Sequence, residues 1–277
     1  MSLSESYLSP DILNTFSKVF EECGLDIKRY KPAFMKRRLD RRMRILDIDD
    51  YFEYANILKK ERREFEELFS SLSINVTNFF RDFIVYDKFK SFIIPKMLSD
   101  QKPKEKIKIW SAGCASGEEA YSLAILFSDL VNKFNIEIIA NDINKKAIEY
   151  ALCGKYSEKN IEKLPSDIII NHFHKTINSE NNVEYEIMKH IKDLVTFNVC
   201  DILSNNVSNV DVIFCRNVLI YYEKEAQELI MEKFNRCLNQ SGYLVLGMDE
   251  TMLGRRSEQF FYPLMPRERI YQKCVNK

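Results

Sequence analysis

Ile109-Trp110-Ser111-Ala112-Gly113-Cys114-Ala115-Ser116-Gly117-Glu118-Glu119-Ala120-Tyr121-Ser122 runs from an apolar strand, through a turn of small residues, into a helix. Such a turn lets the backbone approach a ligand closely, and the helix start offers unpaired N–H groups. The chain has seven glycines, and two of them stand in this turn. The same residues would also serve a plain tight strand-to-helix connection, so the turn alone leaves both readings open.

Outward from this point the chain alternates. Short apolar runs at 107–110, 136–140, 194–197, 210–215 and 243–246 are mostly separated by helical stretches. That alternation predicts a parallel sheet with helices on both faces. Residues 260–264 and 269–273, around Met265-Pro266, read as two antiparallel edge strands, and a polar, Asn-rich insert occupies about 156–193. N-terminal to the sheet, Ile12, Leu13, Phe16, Val19 and Phe20 recur at helical spacing, with Gly24 placed to stop the helix. Further helices are predicted over 32–46, after a cap at Asp49-Asp50, and over 61–72. The fold class is therefore α/β, a Rossmann-like sheet with a small all-helical N-terminal domain and a small β insert. The expected division is a helical domain over 1–73, a linker over 74–95 and a sheet domain over 96–277.

Lys+Arg and Asp+Glu both total 41, which gives no global electrostatic case for nucleic acid or a membrane surface. Seven scattered cysteines without a C-x-x-C suggest neither a disulfide framework nor zinc. The first ten residues lack a signal-peptide pattern, and no apolar run reaches the roughly 20 residues that span a bilayer. A soluble, cytoplasmic protein is expected.

Four segments carry candidate chemistry. Beyond the small-residue turn, the second strand ends in Ala140-Asn141-Asp142-Ile143. Asp142 lies 25 residues past Gly117, where an acid at a strand tip meets ribose hydroxyls in nucleoside-binding sheets; it could equally cap the following helix. The buried-looking strand Asp211-Val212-Ile213-Phe214-Cys215 delivers Arg216, Asn217 and then Tyr221-Tyr222 to its C-terminal end, the side on which open α/β sheets bind ligands. Finally, Asn75-Val76-Thr77-Asn78-Phe79-Phe80-Arg81-Asp82 joins the two domains, either as a cleft wall or as a hinge with a surface arginine. His172-x-His174 lacks further ligands close by, so no metal is expected.

In this order and spacing, the four segments resemble the CheR-type chemotaxis receptor methyltransferases, as does the Lys36-Arg37-Arg38-Leu39-Asp40-Arg41-Arg42-Met43 stretch. The resemblance implies a protein-glutamate O-methyltransferase using S-adenosylmethionine and releasing S-adenosylhomocysteine. It implies that Gly113, Gly117 and Glu118 wrap the methionine portion, Glu118 accepting from the amino group. Asp142 would hold the ribose, Asn198 and Val199 would frame the adenine, and Cys215, Arg216 and Asn217 would complete the pocket. Asn75, Thr77 and Arg81 would close over the cofactor, Arg81 orienting either the cofactor carboxylate or the substrate glutamate, and Tyr221 would lie near the transferring methyl. Residues 28–44 hold nine Lys/Arg against one acid, and Arg37/Arg41 and Arg38/Arg42 are i, i+4 pairs. The resemblance gives this basic face a partner, the acidic cytosolic methylation region of a receptor, although a solvated face would read the same. A monomer without membrane insertion or nucleic-acid binding is expected.

Two places depart from the family pattern. Gly247-Met248-Asp249-Glu250 stands where Gly-His-Ser-Glu is usual, and the insert lacks the glycines of members that dock a receptor tail peptide. Direct recognition of the methylation region is therefore the expectation. A methyltransferase acting on another protein or a small acid, and a non-catalytic cofactor sensor, are the competing readings.

Overall fold

The structure is a computed structural model describing residues 8–21, 25–72, 77–99, 105–252 and 255–274. Gly24 and Asn75, both singled out above, lie outside the described residues.

Among the described residues, four α-helices form the N-terminal part: α1 (Pro10–Glu21), α2 (Pro32–Ile45), α3 (Tyr51–Lys60) and α4 (Arg62–Leu72). Local chemistry sets their starts. Pro32 opens α2, where its missing N–H costs nothing, and the Asp50 carboxylate caps α3 by accepting from Glu53 N at 2.7 Å. Phe16, Val19 and Phe20 of α1 are buried, Phe20 facing Phe65 and Phe69 of α4 with ring centroids 5.3 and 6.4 Å away. After the turn at 77–82, α5 (Phe83–Lys88) continues through a π turn, Phe89–Ile93, into α6 (Ile94–Leu98).

The sheet domain then follows: β1 (Lys106–Ala112), α7 (Glu118–Phe127), β2 (Asn135–Asp142) and α8 (Lys145–Cys153). The insert contributes β3 (Lys155–Ser157), α9 (Glu158–Ile161), α10 (Ser166–His172), β4 (Phe173–Ile177), β5 (Val183–Ile187) and α11 (Lys189–Lys192). β6 (Val195–Val199), β7 (Val210–Cys215), α12 (Lys224–Cys237), β8 (Leu238–Leu246), α13 (Arg255–Phe260), β9 (Phe261–Met265) and β10 (Ile270–Lys273) complete the chain. Seven strands order as β6-β2-β1-β7-β8-β10-β9, and β3-β5-β4 form a separate antiparallel sheet. The strands from β6 to β8 are parallel; β10 runs antiparallel between β8 and β9, which leaves only β9 at that edge.

Every residue of β7 is buried, as expected for a central parallel strand covered on both faces. Side chains alternate between two cores. Trp110, Ile213 and Leu244 face α12 and the N-terminal helices, whereas Ile109, Val212, Phe214 and Val245 face α5, α6 and α7. The chain leaves β1 for β2 on one side and returns to β7 on the other. That reversal opens a crevice at the C-terminal ends of β1 and β7. Among the described residues, no helix is long and apolar enough to cross a membrane.

Candidate functional site

A cleft of about 1090 Å³, partly open to solvent, lies at this crevice, roofed by the 77–82 turn and the N-terminal helices. Its floor is the turn after β1. Gly113, Ala115 and Gly117 all take left-handed backbone, with φ of +85°, +48° and +94°. A Cβ at Gly113 would stand 2.6 Å from Val218 Cγ2, so close approach of the 217–219 segment demands glycine there. Gly113 N and Cys114 N donate to the Asn141 carbonyl at 2.8 and 3.0 Å, which lashes the turn to the tip of β2.

Asp142 lines the cleft at that tip. Its Oδ2 accepts from Ala115 N and its Oδ1 from Asn144 N, both at 2.9 Å. Capping of α8 falls to Asn144, which accepts from Ala147 N at 3.3 Å; this decides against the helix-cap reading of Asp142.

Arg216 and Asn217 reach the cleft from β7, while Cys215 stays fully buried in the strand and does not line it. The Arg216 guanidinium donates from Nη2 to Asp82 Oδ2 at 2.6 Å and from Nη1 to the Arg81 carbonyl at 2.7 Å. It lies 5.7 Å from the Tyr86 ring centroid. Burial works against its charge, yet Tyr86, Glu119 and Asp82 together hold its pKa above the ordinary value. Thr77, Asn78, Arg81 and Tyr221 line the same cleft. Asn217 is a further lining residue at positive φ, +60°, and Phe80 and Asp82 of the adjoining turn take +48° and +56°.

The 217–219 segment hangs on one carboxylate. Glu250, 3% exposed, accepts at Oε2 from Asn217 N and Gly247 N, and at Oε1 from Val218 N and Leu219 N, all at 2.7–2.8 Å. Burial raises its pKa, and these four donors oppose the rise. Met248 packs against the core and Asp249 lines the cleft, so the departure from Gly-His-Ser-Glu leaves the glutamate splint in place.

The structure places several expected residues elsewhere. Glu118 is 2% exposed but turns away from the cleft, accepting from Ser116 Oγ at 2.7 Å. Its neighbour Glu119 lines the cleft and accepts from Ser111 Oγ at 2.7 Å. Adjacent helical residues point about 100° apart, and packing of α7 on the sheet chooses which glutamate faces in. Burial pushes the Glu119 carboxyl up to about 7, opposed by Arg216 and the Ser111 hydroxyl. Asn198 and Val199 are exposed on β6, outside the cleft. Cys200 and Ile202 of the following loop line it instead. Asn141 Nδ2 draws that loop in by donating to the Cys200 carbonyl at 2.9 Å, and Trp110 Nε1 orients Asn141 by donating to its Oδ1 at 2.6 Å. Gly117 starts α7 without lining the cleft.

Tyr30, a lining residue from the N-terminal part, carries no sequence signal. It stacks on Tyr222 of the expected tyrosine pair at 4.6 Å, with hydroxyls 3.1 Å apart. Main-chain bonds flank them, Lys31 N to Tyr221 O at 2.9 Å and Glu223 N to Arg29 O at 2.7 Å.

The four arginines of α2 separate. Arg37 and Arg41 are exposed. Arg38 lies over Phe34, 5.2 Å from its centroid, and Phe34 sits 4.9 Å from the Tyr221 ring at the mouth of the cleft. Arg42 turns inward and forks onto buried Glu64, Nε to Oε1 at 2.9 Å and Nη2 to Oε2 at 2.5 Å, with Tyr54 OH on Oε1 at 2.8 Å. It is therefore a support of the helical domain and cannot belong to the same outward face as Arg37 and Arg41.

Known proteins match this architecture along most of the chain. The CheR methyltransferase SAM binding domain matches residues 75–265, and the CheR methyltransferase all-alpha domain matches residues 11–73. A chemotaxis protein methyltransferase of Borreliella burgdorferi is 28% identical over 256 residues, covering 88% of this chain and 89% of its own. Its counterpart in Listeria innocua is 31% identical over 250 residues, covering 89% and 92%. With a seven-stranded sheet of this order, a cleft at its switch point and these matches, the chain belongs to the CheR family of S-adenosylmethionine-dependent methyltransferases.

Proposed function

We propose that the protein esterifies glutamate side chains in the cytosolic methylation region of chemotaxis receptors. The observation that carries this reading is the mouth of the cleft. Arg81 and Tyr221 line it, and Arg37 and Arg38 of α2 stand beside it over the Phe34 ring, a setting suited to a carboxylate on a macromolecule. The names of the relatives point to the same chemotaxis setting.

The lining fits S-adenosylmethionine. Asn217 Oδ1 is buried without a hydrogen-bond partner, and Asn217 lines the cleft. A polar ligand resolves such an orphaned group. Asp142 is the acceptor for ribose hydroxyls, Glu119 for the methionine ammonium, and Cys200 with Ile202 forms the wall for the base. Bound there, the cofactor supplies an electrophilic methyl with its own leaving group.

The chain's remaining task is positioning. A glutamate side chain has a reference pKa of about 4.3 and is ionised near neutrality, so no general base is needed. Arg81 orients the incoming carboxylate. Burial raises the Tyr221 pKa, against the opposing effect of Arg38, Arg81 and Arg37, so its hydroxyl stays protonated and able to donate. Catalysis then comes from alignment and exclusion of water.

The test is transfer of labelled methyl from S-adenosylmethionine to receptor-containing membranes, followed by mild base. Base-labile label released as methanol, and lost with Arg81→Ala, is the expected result. Label that resists base, or cofactor binding without transfer to receptors, would overturn the glutamate reading.

A further inference from the structure

A second cavity, of about 1500 Å³ and partly open to solvent, lies between the helical domain and the sheet domain. Its apolar floor combines Phe65 and Phe69 of α4, Ile143 after β2 and Val199 at the tip of β6, with buried Val19 and Leu58. Phe65 and Phe69 stand one helical turn apart and are only partly buried, and Val199 is 50% exposed. Two bonds join the walls. Asn144 Nδ2 donates to the Ser70 carbonyl at 3.1 Å, and Lys146 Nζ donates to Glu67 Oε1 at 2.7 Å.

The rim is cationic. Lys59 and Lys60 close α3, Arg62 opens α4, and Lys145 and Lys146 open α8, while the acids of the lining are Glu66 and Glu149. The chain as a whole has zero formal net charge, so this excess is local. Helix electrostatics explains only part of it. Lys59 and Lys60 suit the negative end of α3, but Arg62, Lys145 and Lys146 sit in first turns, where the helix dipole disfavours cations. Ion pairing accounts for Lys146, through Glu67, and for little else. Arg62–Glu66 at 3.2 Å and Lys145–Glu149 at 3.7 Å are exposed i, i+4 pairs that contribute little. Among the described residues, Lys59 and Lys60 have no ion-pair partner.

We infer that this cavity is a docking groove for an acidic peptide segment of a partner protein. Apolar side chains of the segment seat on Phe65, Phe69 and Val199, and its carboxylates meet the lysines and Arg62. The volume exceeds the roughly 300–1,000 Å³ of small-molecule sites. The cations come from α3, α4 and α8, in both domains, whereas a phosphate site gathers its donors on one point. A lipid surface cannot follow a concave floor set between two domains. Among the described residues, none from α2 lines the groove, so it is separate from the arginines beside Tyr221. The inference does not depend on which carboxyl group the enzyme methylates. Ile143 lines both this groove and the cofactor cleft, so a docked segment bears on the cleft wall. Coupling through that wall is reciprocal, each ligand changing the affinity for the other by the same factor.

The experiment is fluorescence anisotropy of the full chain with a labelled peptide repeating Glu-Glu-Leu-Phe. Repeats of Lys-Lys-Leu-Phe and of Glu-Glu-Ser-Ser are the controls, and phosphatidylglycerol vesicles and inorganic phosphate are the rival ligands. The expected result is saturable binding of the acidic apolar peptide alone. Lys59→Glu/Lys60→Glu should weaken it about tenfold by reversing the rim charge, and Val199→Asp should weaken it to a similar extent. Without peptide, the lysine variant should keep the unaltered affinity for S-adenosylhomocysteine, which shows that it is folded. Saturating peptide should shift that affinity about threefold in the unaltered chain. No binding of the Glu-Glu-Leu-Phe peptide, or binding unmoved by both variants, overturns the groove. Equal binding of Glu-Glu-Ser-Ser, or binding of vesicles or phosphate in place of the peptide, overturns the occupant. Peptide binding with unshifted cofactor affinity overturns the coupling through Ile143.

Discussion

Burial lifts the Glu119 carboxyl to about 7, so this residue binds its proton more tightly in the folded chain than in the unfolded one. The sign follows from linkage. The stability it contributes is present below the unfolded value of about 4.3 and is lost as pH rises through about 7. A ligand ammonium beside Glu119 would favour the carboxylate and drive the proton off. Affinity for S-adenosylhomocysteine should therefore rise between pH 6 and 8, with proton release visible by calorimetry in buffers of different ionisation enthalpy. Glu119→Gln should flatten that rise; a slope that persists in the variant would assign the proton to another group. A cofactor-contacting glutamate in the pair Glu118-Glu119 was legible in the sequence, the resemblance naming Glu118. Which member faces the cleft was not, because helix phase is set by packing of α7 on the sheet.

Helix α2 shows how one element divides its charges. Its ends and its buried Phe34, Met35, Leu39 and Met43 follow from Pro32 and the apolar spacing. The division among its arginines depends on Glu64, 22 residues beyond Arg42. Arg42→Ala leaves that buried carboxylate and the Tyr54 hydroxyl without their cation. It should cost about 2–3 kcal/mol in urea unfolding, somewhat less than for a fully buried pair because Arg42 keeps 16% side-chain exposure. Arg41→Ala should stay within about 0.5 kcal/mol, as for exposed substitutions generally. Equal losses at the two positions would show that the fork carries no stability. The β6 segment makes the same point at the sheet edge. Its existence was readable from apolar pattern, but the ligand wall begins only at Cys200, where a buried Asn141 side chain draws the loop inward.

At the scale of the whole molecule, the N-terminal helices and the sheet domain meet through Tyr30 and Tyr222, framed by the backbone bonds between 29–31 and 221–223. Tyr30→Ala and Tyr222→Ala should each lower unfolding free energy by about 3 kcal/mol. The double variant should lose clearly less than the sum, since both remove one shared contact; strict additivity would mean the rings act independently. The sequence by itself determined the order of strands and helices, the small-residue turn after β1 and the strand tips bearing Asp142, Arg216 and Asn217. These are written locally, in apolar periodicity and in residues that tolerate left-handed backbone. Only the tertiary structure decided that Glu119 faces the cleft and Glu118 does not, that Arg42 turns inward, that Tyr30 completes the wall and that Glu250 holds the 217–219 segment. Those outcomes depend on contacts between residues far apart in the chain, and no local pattern records which distant partner will arrive.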